Sequence, residues 1–189
     1  MIGALVAGIT GSGGASLSSY ESIATAAGTG SSGTITFSSI PSTFKHLQIR
    51  AITRNSSTQI YPIIRPNNDS NTANYTLHQL YGNGTAATAY GSATGSFTGA
   101  YSIYGATSNQ QANVMGAGIV DILDYGSTTK YKTIRSLSGF DDNNASTGYI
   151  FVGSSLWLST SAITSITIAY LTDNFTSSSI FALYGIKEA

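Results

Sequence analysis

Ten consecutive residues, 45–54 (KHLQIRAITR), alternate between two sets of side chains. Leu47, Ile49, Ala51 and Thr53 fall on one side, and Gln48, Arg50, Ile52 and Arg54 on the other. A period of two over that length makes a β-strand; an amphipathic helix would repeat its apolar residues at three and four. Alternation or a short apolar run returns at residues 34–37, 59–65, 75–81, 97–104, 133–140, 149–158, 162–170 and 179–187, each bounded by turn residues. Pro62 marks its segment as an edge strand or a bulge. Residues 114–125 (VMGAGIVDILDY) are apolar and long enough for a helix, but Gly116 and Gly118 would each weaken a helix by about 1 kcal/mol, so a strand is expected. Residues 82–95 are small and polar and predict a long exposed loop around Tyr90. Nine or ten short strands with no helix predict an all-β fold, a jelly-roll-like antiparallel β-sandwich in which two apolar sheet faces meet.

Residues 1–33 read differently. Gly, Ser, Thr and Ala dominate 10–33 and cannot bury enough apolar surface to fold alone. Tyr20 to Ala24 stands out as a short patch with ordering potential. Residues 2–9 (IGALVAGI) are apolar, yet too short for a membrane span and without the basic flank of a secretory signal. The expected organisation is a flexible anchoring arm at 1–33 that docks on a neighbouring surface, followed by one sandwich domain at 34–189.

Composition limits the function. Eight basic and eight acidic residues make 8% of the chain, against about 25% in a typical soluble domain. The 53 serines and threonines must solvate the surface instead. Such a surface suits a part packed against copies of itself. The scattered cations form no basic stripe, so nucleic acid is not an expected partner, nor is a membrane. With no cysteine, disulfides and thiolate metal sites are excluded.

No reaction centre is legible. Gly28 to Gly33 matches GxGxxG, but a nucleotide site needs a helix to open behind it, and a strand pattern follows. His46 and His78 lie on separate strand segments, and no nucleophile elbow is present. Asp121 and Asp124 would point to opposite faces of a strand. Asp141 and Asp142 form an oxygen-rich turn without the spacing of a calcium loop. No catalytic residue, cofactor or metal is therefore expected, and the chain reads as a non-enzyme. The aromatics are the candidate surface: Tyr81, Tyr90, Phe97, Tyr101 and Tyr104, with Asn and Gln neighbours across 81–113. Interfaces are enriched in aromatics, and flat rings beside amides also stack on sugars. Trp157, between Leu156 and Leu158, reads as core or interface.

Three segments carry a resemblance: FKHLQIR at 44–50; GIVDILDY at 118–125 with KYKTIR at 130–135; and SIFALYGIK at 179–187. Leu156-Trp157 and AITSI at 162–166 accompany them. Together they resemble small virion structural proteins of tailed bacteriophages, including phages of cyanobacteria and marine bacteria, over most of 20–187. The resemblance implies a virion location and a role as tail fibre, collar, baseplate or capsid-decoration component. Its motifs are structural and transfer no functional residue. The implied partners are sister chains in a homo-oligomer, a trimer foremost, other virion proteins, and a host-surface glycan if the aromatic region recognises one.

Overall fold

The computed structural model describes residues 19–144 and 147–187. They form twelve strands: β1 (Tyr20–Ala27), β2 (Thr34–Phe37), β3 (His46–Thr53), β4 (Ile63–Pro66), β5 (Tyr75–Gly82), β6 (Ala87–Ser92), β7 (Ala100–Tyr101), β8 (Gly116–Ile122), β9 (Lys132–Phe140), β10 (Tyr149–Trp157), β11 (Ile166–Ala169) and β12 (Ile180–Ile186). A single 3-10 turn, Thr72–Asn74, is the helical content of the described residues. None of their helices is long and apolar enough to cross a membrane.

The strands make an all-β sandwich of two antiparallel sheets. The larger has eight strands in the order β1-β12-β3-β8-β9-β10-β5-β6, and the smaller has four in the order β2-β11-β4-β7. The alternation in β3 does what period two requires. Leu47, Ile49, Ala51 and Thr53 are buried, while Arg50 and Ile52 point to solvent. The register carries this alternation across the sheet: Ile49 pairs with Val120 and Leu183, so buried faces buried. Ile35, Phe37, Ile64, Ile166 and Ile168 of the small sheet close the core from the other side.

The sandwich begins earlier than expected. Residues 20–27, assigned to a flexible arm, form β1 and pair with β12 along its length. Residues 28–33 are also tied down: Gly28 N–H donates to Ser179 O at 2.9 Å and Phe175 N–H to Ser32 O at 2.9 Å. A side chain at Gly28 or Gly33 would collide with the backbone of 173–176, which explains their glycines. Residues 20–27 carry little apolar alternation of their own; pairing with the edge of β12 supplies the hydrogen bonds that order them. Residues 1–18 of the expected arm lie outside the described residues.

Two further expectations change. The loop expected at 82–95 contains β6, a hairpin partner of β5. Its turn is closed by Asn83, whose side-chain oxygen accepts from the N–H groups of Thr85 and Ala86. The strand expected at 97–104 is ladder-paired only at Ala100–Tyr101, because the next backbone groups bond elsewhere: Tyr104 N–H to Ser138 Oγ at 2.8 Å and Gly105 N–H to Ile60 O at 2.8 Å.

Asp69 ties the turn before β5 to the core. Its carboxylate accepts from Trp157 Nε1 at 2.8 Å, Asn74 Nδ2 at 2.7 Å and Asn71 N–H at 2.8 Å. Burial pushes its pKa up, but these donors outweigh burial and hold the carboxyl below its usual range. The Asp69→Ala variant is expected to lose about 2–3 kcal/mol of stability in a denaturant titration, since it orphans the indole N–H. Because the folded pKa is depressed, this contribution is present above the unfolded carboxyl pKa and is lost as pH falls through the folded value.

Candidate functional site

The larger sheet overhangs the smaller one. The small sheet's edge strand β7 packs against β10 and β5, leaving β6 as the free edge. Tyr75 and Leu77 at the start of β5 are buried, but the inward side chains farther along the β5–β6 hairpin face a cleft. Register puts Gln79 opposite Tyr90 and Tyr81 opposite Thr88. From the small-sheet side come Tyr101 on β7, with Phe97 just before it and Tyr104 just after.

These rings meet. Phe97 lies 4.6 Å from Tyr101, centroid to centroid, and 6.4 Å from Tyr90, both edge-on. Tyr81 stacks on Tyr104 at 6.3 Å, and Tyr104, only 3% exposed, stacks on Phe151 at 4.4 Å. The five aromatic residues expected to form a recognition or interface surface thus share one cleft of about 360 Å³. Sequence reasoning missed three members. Tyr61, ahead of β4, lies 4.5 Å from Tyr101; Tyr149, at the start of β10, lies 5.7 Å from Tyr104; and Gln79 lines the floor. Gln79 and Tyr149 are placed by strand register, and Tyr61 by the segment that leads into β4.

The cleft is polar without being charged: none of its lining residues is Asp, Glu, Lys, Arg or His. Burial, then the neighbouring Tyr61 and Tyr90, pushes the Tyr101 hydroxyl up to about 12. Burial, with Tyr61, Tyr81 and Tyr149 around it, raises Tyr104 as well. Both hydroxyls stay neutral through the physiological range and can donate or accept hydrogen bonds.

A second surface lies on the opposite side of the same strands. On the outer face of the large sheet, register aligns Ile119, Leu137, Val152 and Leu80 on four adjacent strands. Ile52 and Ile180 pair beside them, and Ile150 follows on β10. These seven aliphatic side chains are 42% to 60% exposed. Two shallow troughs of about 850 Å³ each flank Ile119 and Leu137.

The remaining candidates do not converge. His46 sits at the start of β3, where its Nδ1 accepts from Asp124 N–H at 2.9 Å, and His78 lies four strands away on β5. Asp121 accepts from Gln48 Nε2 at 2.9 Å and faces Arg135 at 3.7 Å. Asp124 lies past the strand end with a positive φ, bound to Lys130 at 2.7 Å. That lysine's hydrogen bond holds its carboxyl below the usual range. Asp141 accepts from Asn143 N–H and Asp142 from Thr147 Oγ1. Among the described residues no three His, Asp or Glu side chains gather as metal ligands. The GxGxxG stretch runs from β1 into β2, with no helix behind it. Trp157 is buried, its indole N–H committed to Asp69. No known protein family, no curated protein and no solved structure matches this chain.

Proposed function

We propose that this protein is a non-enzymatic structural component of a phage-type virion that assembles with copies of itself through the outer face of its eight-stranded sheet. The observation that carries the reading is the contiguous aliphatic surface on that face. An antiparallel sheet with a solvated face normally alternates apolar-in and polar-out. Here Ile119, Leu137, Val152 and Leu80 break that rule side by side. Eight strands spaced about 4.8 Å apart, with lengths of about 25 Å, give the whole outer face about 800 Å² per copy, the area a stable interface needs, with Arg50, His78, Asp121 and Arg135 bordering the aliphatic row. Low charge and the resemblance to phage virion proteins support the same role. Residues 1–18, with their apolar stretch at 2–9, serve in this reading as the anchor to the particle.

Light scattering on the full chain tests it. The protein is expected to run as a homo-oligomer, a trimer foremost. Leu80→Asp combined with Leu137→Asp, on strands separated by β10, is expected to weaken association about 100-fold or more, since two buried unpaired charges would face the partner. Both positions are half exposed in the single chain, so its melting temperature should shift little. A chain that stays monomeric at high concentration would sink the reading. Deleting 1–18 is expected to leave a folded domain that no longer incorporates into particles.

A second reading is recognition of a receptor or carbohydrate at the aromatic cleft. It is favoured by six tyrosines and Phe97 around an uncharged hollow. The two roles are compatible, because Leu80 and Ala89 point to the assembly face while Gln79, Tyr81 and Tyr90 point to the cleft.

A further inference from the structure

We propose that the cleft beneath the β5–β6 hairpin binds an uncharged carbohydrate chain, stacked on Tyr90, Tyr101 and Tyr61 and hydrogen-bonded to the side-chain oxygen of Gln79; this rests on the recognition reading of the same cleft and names its ligand.

Four observations converge on that ligand. First, the walls and floor differ in exposure. Tyr61, Tyr90 and Tyr101 keep accessible surface, while Tyr104 beneath them is buried against Phe151. Rings packed only for stability would close over one another; these leave a hollow of about 360 Å³, at the lower end of small-ligand sites, about 300–1,000 Å³. Second, the lining is amphipathic in the way a sugar is. A tyrosine ring presents an apolar face and a polar tip, and a pyranose presents a C–H face and an equatorial rim of hydroxyls. Third, the Gln79 side-chain oxygen is buried at the cleft without a hydrogen-bond partner, while the other end of its amide faces Tyr104. A carbonyl left unpaired is costly, and a small rotation of the Gln79 side chain toward the cleft would let a ligand hydroxyl pair with it. Fourth, no ionised side chain lines the cleft. An anionic polymer needs Lys or Arg, and an acidic or basic peptide needs the opposite charge. A neutral glycan needs neither. The cleft opens beside β6, the free edge of the sheet, so a long chain can pass through without threading.

The test uses the full chain against immobilised neutral oligosaccharides (maltohexaose, cellohexaose, a mannan and a galactan fragment) and anionic ones (polygalacturonate and heparin fragments). At least one neutral glycan is expected to bind and to perturb the tyrosine ring signals in NMR spectra. Its affinity should hold as salt rises from about 0.05 to about 0.5 M, because screening acts only on charged partners. Tyr90→Ala and Gln79→Leu are each expected to weaken binding about tenfold or more, equal to about 1.4 kcal/mol. Thr128→Ala, in the exposed turn between β8 and β9 and outside both surfaces, should bind as the parent does. Tyr90 is exposed on an edge strand, and the NMR shifts need no variant, so misfolding cannot hide the answer. Binding to anionic glycans alone, or neutral binding indifferent to both cleft variants, overturns the proposal. A peptide captured at the cleft and lost in Tyr90→Ala overturns the carbohydrate assignment but keeps the recognition reading. No ligand of any class at the cleft overturns both.

Discussion

Between pH 10 and about 12 the folded protein is expected to unfold cooperatively, with the tyrosinate absorption band rising in the same step. The cause is five tyrosines whose hydroxyls are raised in the folded state: Tyr75, Tyr101, Tyr104, Tyr125 and Tyr170. Burial is the leading cause at each. Tyr75 is fully buried, and its hydroxyl donates to Asp69 O at 2.8 Å. The sign follows from where the protons sit. The unfolded chain releases tyrosine protons near pH 10, while the folded chain still holds them. Stability is therefore complete below that value and falls as pH rises toward the folded pKa values, about 12 for Tyr101. Each such tyrosine removes up to about 1.4 kcal/mol per pH unit while the pH lies between its unfolded and folded values, so several acting together become comparable to the total stability of about 5–15 kcal/mol for a domain.

Lys132 works the other way. It is fully buried, its ammonium donating to the carbonyls of Ser127 and Lys130, and burial lowers its pKa. A lowered lysine favours the folded state as pH rises toward the unfolded lysine value, and adds nothing beyond it. One lysine against five tyrosines leaves the tyrosines in control. Circular dichroism and absorbance followed together across the alkaline range decide the matter. A gradual tyrosinate rise with the β signal intact at pH 12 would contradict this account.

Phe175→Ala is expected to lower stability by about 3–5 kcal/mol, which for a domain of this size is about 10 °C in melting temperature. Phe175 has no exposed surface and sits between Tyr170 at 4.6 Å and Phe181 at 4.9 Å. Its backbone is equally committed: it accepts from Gly30 N–H at 3.0 Å, donates to Ser32 O at 2.9 Å, and bridges to Asn55. The residue therefore joins β12, the β11–β12 connection and the segment after β1. Removing the ring opens a cavity that this rigid backbone cannot collapse into. Calorimetry on the variant should show a single, earlier transition. A loss under about 1 kcal/mol would mean that the surrounding loop repacks, contrary to the bonding seen here.

Much of the fold was legible because β alternation is local. The faces of β3 could be assigned from residues 45–54 alone, and Gly116 and Gly118 steered 114–125 to a strand. What escaped shares one property. β1 (YESIATAA) and β6 (ATAYGS) are mostly small residues, without an apolar alternation long enough to mark a strand. Their order comes from backbone groups offered by β12 and β5, residues distant in the chain. The aromatic site was legible in part for the same reason. Tyr81, Tyr90, Phe97, Tyr101 and Tyr104 are close along the chain, so composition pointed to them. Gln79 and Tyr149 join them through strand register, and Tyr61 through the segment that leads into β4.

The sequence by itself determined that this chain would be built from strands with one apolar face, and that its surface would be solvated mainly by hydroxyls and amides rather than by its 8% of charged residues. Period two and residue type decide both, and neither needs the third dimension. The tertiary structure alone decided the division into eight strands and four. That inequality leaves the β5–β6 hairpin overhanging β7 and holds an aromatic cleft open where a matched sheet would have sealed it. It also placed Ile119, Leu137, Val152 and Leu80 in a single row, because adjacency across strands is set by register and not by distance along the chain.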